Sequence, residues 1–216
     1  MILGVDTSLG TTVGLIGHDG STLAEAASAQ PLGHAEVIGT LLEQVLAEAA
    51  DAMSQDPITH VAAGMGPGPF TGLRIGIAAA RTFALGRGIP VVSVPSHLAA
   101  ALALIEEGAP GAAGSGSPFA ILTDARRRET AVTVYEGIDV DGIPHAVVDT
   151  VLVPRDEVDA RLGALRRIEV TAISGAALAR VARRALAAGR TLTGSEPLYL
   201  RPPDARPPVA PKRVGL

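Results

Sequence analysis

The chain has 216 residues and no cysteine, enough for one large or two small domains but not for disulfides, thiol catalysis or zinc–thiolate sites. Its formal net charge is −4, and Phe70, Phe83, Phe119, Tyr135 and Tyr199 are its aromatic residues, a balance that argues against a large RNA or DNA surface. No run approaches the roughly 18 apolar residues of a membrane span, and the opening Met-Ile-Leu-Gly-Val-Asp carries no basic region ahead of an apolar one, so a cytoplasmic protein without membrane contact is expected.

Ile2 to Val5 is a short buried-strand pattern that ends at the polar corner Asp6-Thr7-Ser8. Thr12 to Ile16 reads as the next strand, His18-Asp19-Gly20 as a hairpin turn and Ser21 to Ala27 as the return. Ala35 to Ala50 is the clearest helix, because Val37, Ile38, Leu41, Leu42, Val45 and Leu46 recur on one face. Val61 to Ala63 is a strand entering the loop Gly64-Met65-Gly66-Pro67-Gly68-Pro69. Pro67 and Pro69 bar a helix before about Phe70, and Thr71 is a candidate N-cap. The helix then runs to about Leu85, Gly86 to Pro90 stop it, and Val91 to Val94 completes a βαβ unit. Ser96 to Ile105 is a further helix.

The stretch from Glu106 to Pro118 is rich in Gly, Ser, Ala and Pro and marks the best domain boundary. Beyond it come strands at Phe119–Thr123, Thr130–Tyr135 and Ala146–Val153, a helix at Arg155–Leu162, a strand at Glu169–Ile173 and a helix at Ala176–Ala188. Strand, hairpin, helix, strand, helix thus occurs twice. The expected division is 1–105, a linker at 106–117, a smaller half at 118–200 and a proline-rich basic tail at 201–216, disordered or draped over the surface.

Gly72, Gly76 and Ala80 lie at four-residue intervals on one helix face. Two helical glycines on one line, each costing about 1 kcal/mol relative to alanine, imply close packing on the chain's own sheet or first helix, or the approach of a partner's helix. Asp6, Thr7 and Ser8 could hold a metal–phosphate, or simply form a turn. Gly175, in Ser174-Gly175-Ala176, could meet a nucleotide phosphate or simply join strand to helix. These four are weak nucleotide candidates. Among the five histidines, His97 heads a helix but Ala101 stands one turn on, so no i, i+4 metal pair exists there, and no Ser-His-Asp or paired-carboxylate arrangement stands out.

Gly66-Pro67-Gly68-Pro69-Phe70-Thr71-Gly72-Leu73-Arg74-Ile75-Gly76 resembles the signature of the bacterial TsaB (YeaZ) family. Asp6-Thr7-Ser8, His34, Asp124-Ala125-Arg126 and Pro197-Leu198-Tyr199-Leu200-Arg201 extend the resemblance over nearly the whole chain. Pro69 stands where the family usually has Ser, which removes a hydroxyl and a backbone donor. The resemblance implies an α/β fold of two related halves, as in actin, Hsp70 and sugar kinases, each a mixed sheet with flanking helices. It implies a non-catalytic, dimerising subunit that binds TsaD, with TsaE, to form threonylcarbamoyladenosine beside the anticodon of tRNAs reading codons that start with adenine. In TsaD a His-x-x-x-His pair binds metal; here the matching Pro95-Ser96-His97-Leu98-Ala99-Ala100-Ala101 lacks the second histidine.

The resulting expectation is no catalytic residue, no metal and no cofactor, with tRNA met indirectly through the complex. The expected pairing face, for TsaD or a second copy, comprises His34, Val37, Leu41, Gly68, Phe70, Thr71, Gly72, Arg74, Gly76 and Ala80. Arg74 is its cross-interface contact, and Gly76→Arg or Ala80→Arg is expected to abolish pairing with the fold intact. The alternative is an ATP-dependent phosphotransferase of the same superfamily, with Asp6 on Mg²⁺ and Gly175 near the adenosine.

Overall fold

A computed structural model describes residues 1–29, 33–108 and 118–201. Most of the proposed linker (109–117) and all but the first residue of the tail (202–216) lie outside the described residues. Two mixed sheets are flanked by helices. In the first, β1 (Ile2–Asp6) pairs antiparallel with β2 (Thr11–Ile16), which pairs antiparallel with β3 (Thr22–Ser28). On its other side β1 runs parallel to β4 (His60–Gly64), and β4 runs parallel to β5 (Val91–Val94). Helices α1 (His34–Glu48) and α2 (Ala50–Gln55) join β3 to β4, α3 (Phe70–Arg87) joins β4 to β5, and α4 (Ser96–Glu106) follows.

The second sheet begins at β6 (Phe119–Asp124), which pairs antiparallel with β7 (Glu129–Ile138), and β7 pairs antiparallel with β8 (Pro144–Pro154). After α5 (Val158–Leu162), β9 (Arg166–Glu169) runs parallel to β6, and α6 (Gly175–Ala187) follows. The strand orders are β3-β2-β1-β4-β5 and β8-β7-β6-β9, so the second sheet repeats the first through four strands.

Period-two alternation distributes the strand side chains between three cores. Leu3, Val5, Val13 and Leu15 pack against Ile38, Leu41 and Val45 of α1 and Leu73 and Ile77 of α3. Ile2, Ile16 and Ala62 point the other way, onto α4 and α6, and Phe119, Ile121 and Tyr135 of the second sheet join that same core. Ala120, Leu122 and Val134 cover Val158 and Leu162 of α5 on the far side. The layers therefore run helix, sheet, helix, sheet, helix. The two topological repeats share their central core, because α6 belongs in sequence to the second and packs on the first.

That seat requires three glycines. A Cβ on Gly4 would lie 2.0 Å from the Gly175 carbonyl oxygen, and one on Gly14 would lie 2.2 Å from the Ala176 nitrogen. Backbone meets backbone here, and no side chain fits between.

Several boundaries differ from expectation. The last strand is Arg166–Glu169, not Glu169–Ile173. It is an edge strand with mostly exposed side chains, so it carries no apolar alternation, while Val170 and Ile173 pack into the central core from the connection that follows. The α5 helix starts only at Val158, because Arg155 to Glu157 form a turn. Helix α2 was not expected. Pro69, not Thr71, holds the N-cap position of α3, with φ −62° and ψ 136°; proline's fixed φ suits that place, and Thr71 is exposed one residue inside the helix. No helix among the described residues is long and apolar enough to cross a membrane.

Candidate functional site

The corner after β1 is buried and fully engaged with its surroundings. Asp6 accepts hydrogen bonds at Oδ1 from the Ser8 amide (2.8 Å) and the Ser8 hydroxyl, and at Oδ2 from the Ser96 hydroxyl (2.5 Å). Burial pushes its carboxyl above the usual range, while the bonds from Ser8 and Ser96 pull it back. Ser96 Oγ in turn accepts from the Gly66 amide at 3.1 Å, and the Ser96 amide donates to the Gly66 carbonyl at 2.8 Å. Asp6 thus ties the end of β1 to the start of α4 and to the glycine–proline loop. The sequence offered no signal for Ser96.

The α3 glycines close on the same corner. The Thr7 hydroxyl donates to the Gly72 carbonyl at 2.7 Å. A Cβ on Gly76 would lie 2.1 Å from Thr7 Oγ1, and one on Gly68 would lie 2.8 Å from the Ser8 Cα. His34, at the first turn of α1, is buried, with Nδ1 2.8 Å from the Thr11 hydroxyl. Five residues of the expected pairing face are packed inside the chain. His34, Leu41, Gly72, Gly76 and Ala80 are buried within the chain, so the small-residue line serves the protein's own packing. Gly76→Arg would displace Thr7 and cannot leave the fold intact. Val37, Gly68, Phe70, Thr71 and Arg74 remain at least partly exposed.

A cleft of about 580 Å³ separates the loop and helix starts of the first sheet from the β6–β7 turn of the second. The C-terminal strap, Pro197 to Arg201, crosses its rim. The Leu198 amide donates to the Met65 carbonyl (2.8 Å), and the Tyr199 ring lies 4.5 Å from that of Phe70. Arg74 Nε donates to the Tyr199 hydroxyl at 2.9 Å, so the expected cross-interface contact is made within the chain. Arg201 reaches Glu129 and the Arg126 carbonyl on the opposite side. In the β6–β7 turn, Arg126, Arg127 and Arg128 hold φ of 60, 52 and 62°. A left-handed side-chain residue costs about 1–2 kcal/mol, and neither glycine nor asparagine relieves any of the three.

His97 heads α4 as expected and ties that helix to β6 and β7 of the second sheet. Its Nδ1 lies 2.7 Å from the Thr133 hydroxyl and its Nε2 3.0 Å from the Thr123 hydroxyl. Burial lowers its pKa to about 3. Since an unfolded histidine titrates near 6.5, the unfolded chain holds one proton more between those values, and stability rises with pH across that window. The neutral His97 contribution is fully present above about pH 6.5 and is lost as pH falls. Urea unfolding of His97→Gln is expected to show a pH slope between 4.5 and 6.5 shallower by up to about 1.4 kcal/mol per pH unit. An unchanged slope would exclude His97 as the buried neutral group. Among the described residues no group of three His, Asp or Glu side chains is placed to hold a metal ion.

Gly175, a nucleotide candidate from the sequence, is buried against Gly14 and Gly4. The N-terminus of α6 is occupied from within the chain. Ser174 caps it by accepting from the Ala177 amide, and Glu25 of β3 accepts from both the Ser174 hydroxyl (2.8 Å) and the Ala176 amide (3.1 Å). A carboxylate there satisfies the same free amides and positive end that would attract a phosphate. Glu25 gave no sign of this in the sequence, since its partner lies 149 residues away.

The profile of the family described as TsaD, tRNA N6-adenosine threonylcarbamoyltransferase, matches residues 25–158. The chain belongs to this family. It is 35% identical over 216 residues to an uncharacterized protein of Mycobacterium tuberculosis, covering 95% of this chain and 94% of that one. An uncharacterized protein of Mycobacterium leprae is 35% identical over 147 residues, but the chain spans only 37% of its length. Among solved structures, YeaZ from Pseudomonas aeruginosa superposes with a TM-score of 0.72 at 22% identity, over 92% of this chain and 99% of that one. The chain therefore has the YeaZ fold within the TsaD family.

Proposed function

We propose that the chain is a non-catalytic scaffold of the TsaB type, which pairs with TsaD, and with TsaE, in forming threonylcarbamoyladenosine on tRNA. The observation that carries this reading is that its own side chains occupy the places where the fold's chemistry would be housed. Both Asp6 oxygens are bonded within the chain, Glu25 sits on the α6 N-terminus, and His97 spans two threonines with Ala101 buried one turn on. The ATP-dependent phosphotransferase reading depends on Asp6 and Gly175, and no observation favours it.

The pairing face is the outer surface of α1 and α3, which lie side by side on one face of the first sheet. Small exposed residues, Ala35 and Gly39 on α1 and Ala78 on α3, leave room for a partner helix, and Leu85, two turns beyond Ala78 on α3, is 83% exposed. Self-association would use the same face.

Gly39 offers a cleaner probe than Gly76. No heavy atom lies within 4 Å of a Cβ built on it, so Gly39→Arg leaves the core untouched. Light scattering of the chain mixed with TsaD is expected to give the mass of a complex for the native protein and separate components for Gly39→Arg, with Tm preserved. A folded Gly39→Arg that still pairs would remove α1 from the interface.

A further inference from the structure

The strained β6–β7 turn is unused by the scaffold reading. Its ends are closed by the Ala125 amide donating to Glu129 (3.0 Å) and the Glu129 amide to Arg126 (3.0 Å). Two more arginines rest on its carbonyls: the Arg155 amide donates to Arg128 at 2.8 Å, and the Arg201 guanidinium to Arg126 at 3.2 Å. Asp124 pairs with Arg155 and Glu129 with Arg201, so the nearby carboxylates are taken by the flanking arginines. Among the described residues no carboxylate lies within 4.0 Å of the guanidinium of Arg126 or Arg128. On a chain of net charge −4, five arginines thus surround one exposed turn.

Arg126 and Arg128 are exposed, and no shared carboxylate draws their guanidinium groups together. Separate cationic groups suit an extended polyanion better than one small anion, which needs converging donors. No aromatic residue lies in the turn to stack a base. We propose that this turn contacts the phosphate backbone of tRNA, engaging about two phosphates through Arg126 and Arg128 without reading sequence. The proposal rests on the scaffold reading, since it needs a tRNA brought to the complex. A contact this small is compatible with the acidic composition that argues against a broad RNA surface.

The test is tRNA binding by the chain–TsaD complex over a salt series. Arg126→Glu with Arg128→Glu is expected to lower affinity at least tenfold and to make the slope of log K against log salt shallower by about 2. Arg126→Lys with Arg128→Lys keeps the slope, because phosphate contact needs charge. Arg126→Gly with Arg128→Gly lowers the slope as glutamate does yet raises Tm, because glycine relieves the left-handed strain. A glutamate variant that pairs with TsaD and binds tRNA with an unchanged slope overturns the proposal. So does a loss of affinity without a change of slope, which would report a disturbed fold. If the native chain fails to pair with TsaD, it is the scaffold reading that fails. The turn is then judged by the same slope criterion on the chain alone.

Discussion

Gly14→Ala is expected to destabilise the protein by about 3 kcal/mol or more, lowering Tm by about 10 °C. The added Cβ would lie 2.2 Å from the Ala176 nitrogen and 2.7 Å from the Gly175 carbonyl carbon. Both neighbours are helix backbone, so no rotamer change relieves the clash. Helix α6 must lift from the sheet by about an ångström, loosening the contacts of Ala177, Leu178 and Ala182 with the central core. Gly4→Ala, with its Cβ 2.0 Å from the Gly175 oxygen, should behave alike. Gly39→Ala is the control, since it adds the same methyl to an open helix site and should stabilise by up to about 1 kcal/mol. Calorimetry of the three variants decides the matter. A Gly14→Ala protein melting with the native one would show that α6 is not seated on β1 and β2.

The parts of this fold that were legible are those written in local patterns. The α1 helix declared itself through an apolar face from Val37 to Leu46, and α3 through the two prolines that delay its start to Phe70. The repeat was readable because hairpin and helix periods recur. What stayed hidden depends on distant partners. Gly76 looked like a contact for another protein because nothing near it in sequence shows that Thr7 fills the space above it. Arg74 looked available because Tyr199 lies 125 residues away. β9 was misplaced because an edge strand with exposed arginines has no apolar alternation to mark it. The β6–β7 turn did leave a trace: three consecutive arginines with no glycine where a tight hairpin favours residues that accept positive φ.

Asp6→Ala is the second large effect expected, and its sign separates a structural carboxylate from a catalytic one. A carboxylate held for chemistry is usually a burden on the fold, and removing it tends to stabilise. Asp6 has the opposite surroundings. The Ser8 amide, the Ser8 hydroxyl and the Ser96 hydroxyl all donate to it in a buried site, and each would be left without an acceptor. Stranded buried donors cost about 1–3 kcal/mol each, partly offset because removing Asp6 also ends the desolvation that raises its pKa. A net loss of about 3 kcal/mol in urea unfolding is expected at pH 7. Asp6→Asn should lose less, because one carbonyl oxygen remains to accept from Ser8. Raised stability in Asp6→Ala, together with loss of ATP binding by calorimetry, would overturn the structural role and restore the phosphotransferase reading. Lowered stability with no ATP binding by the native chain leaves Asp6 as the tie between β1, the glycine–proline loop and α4.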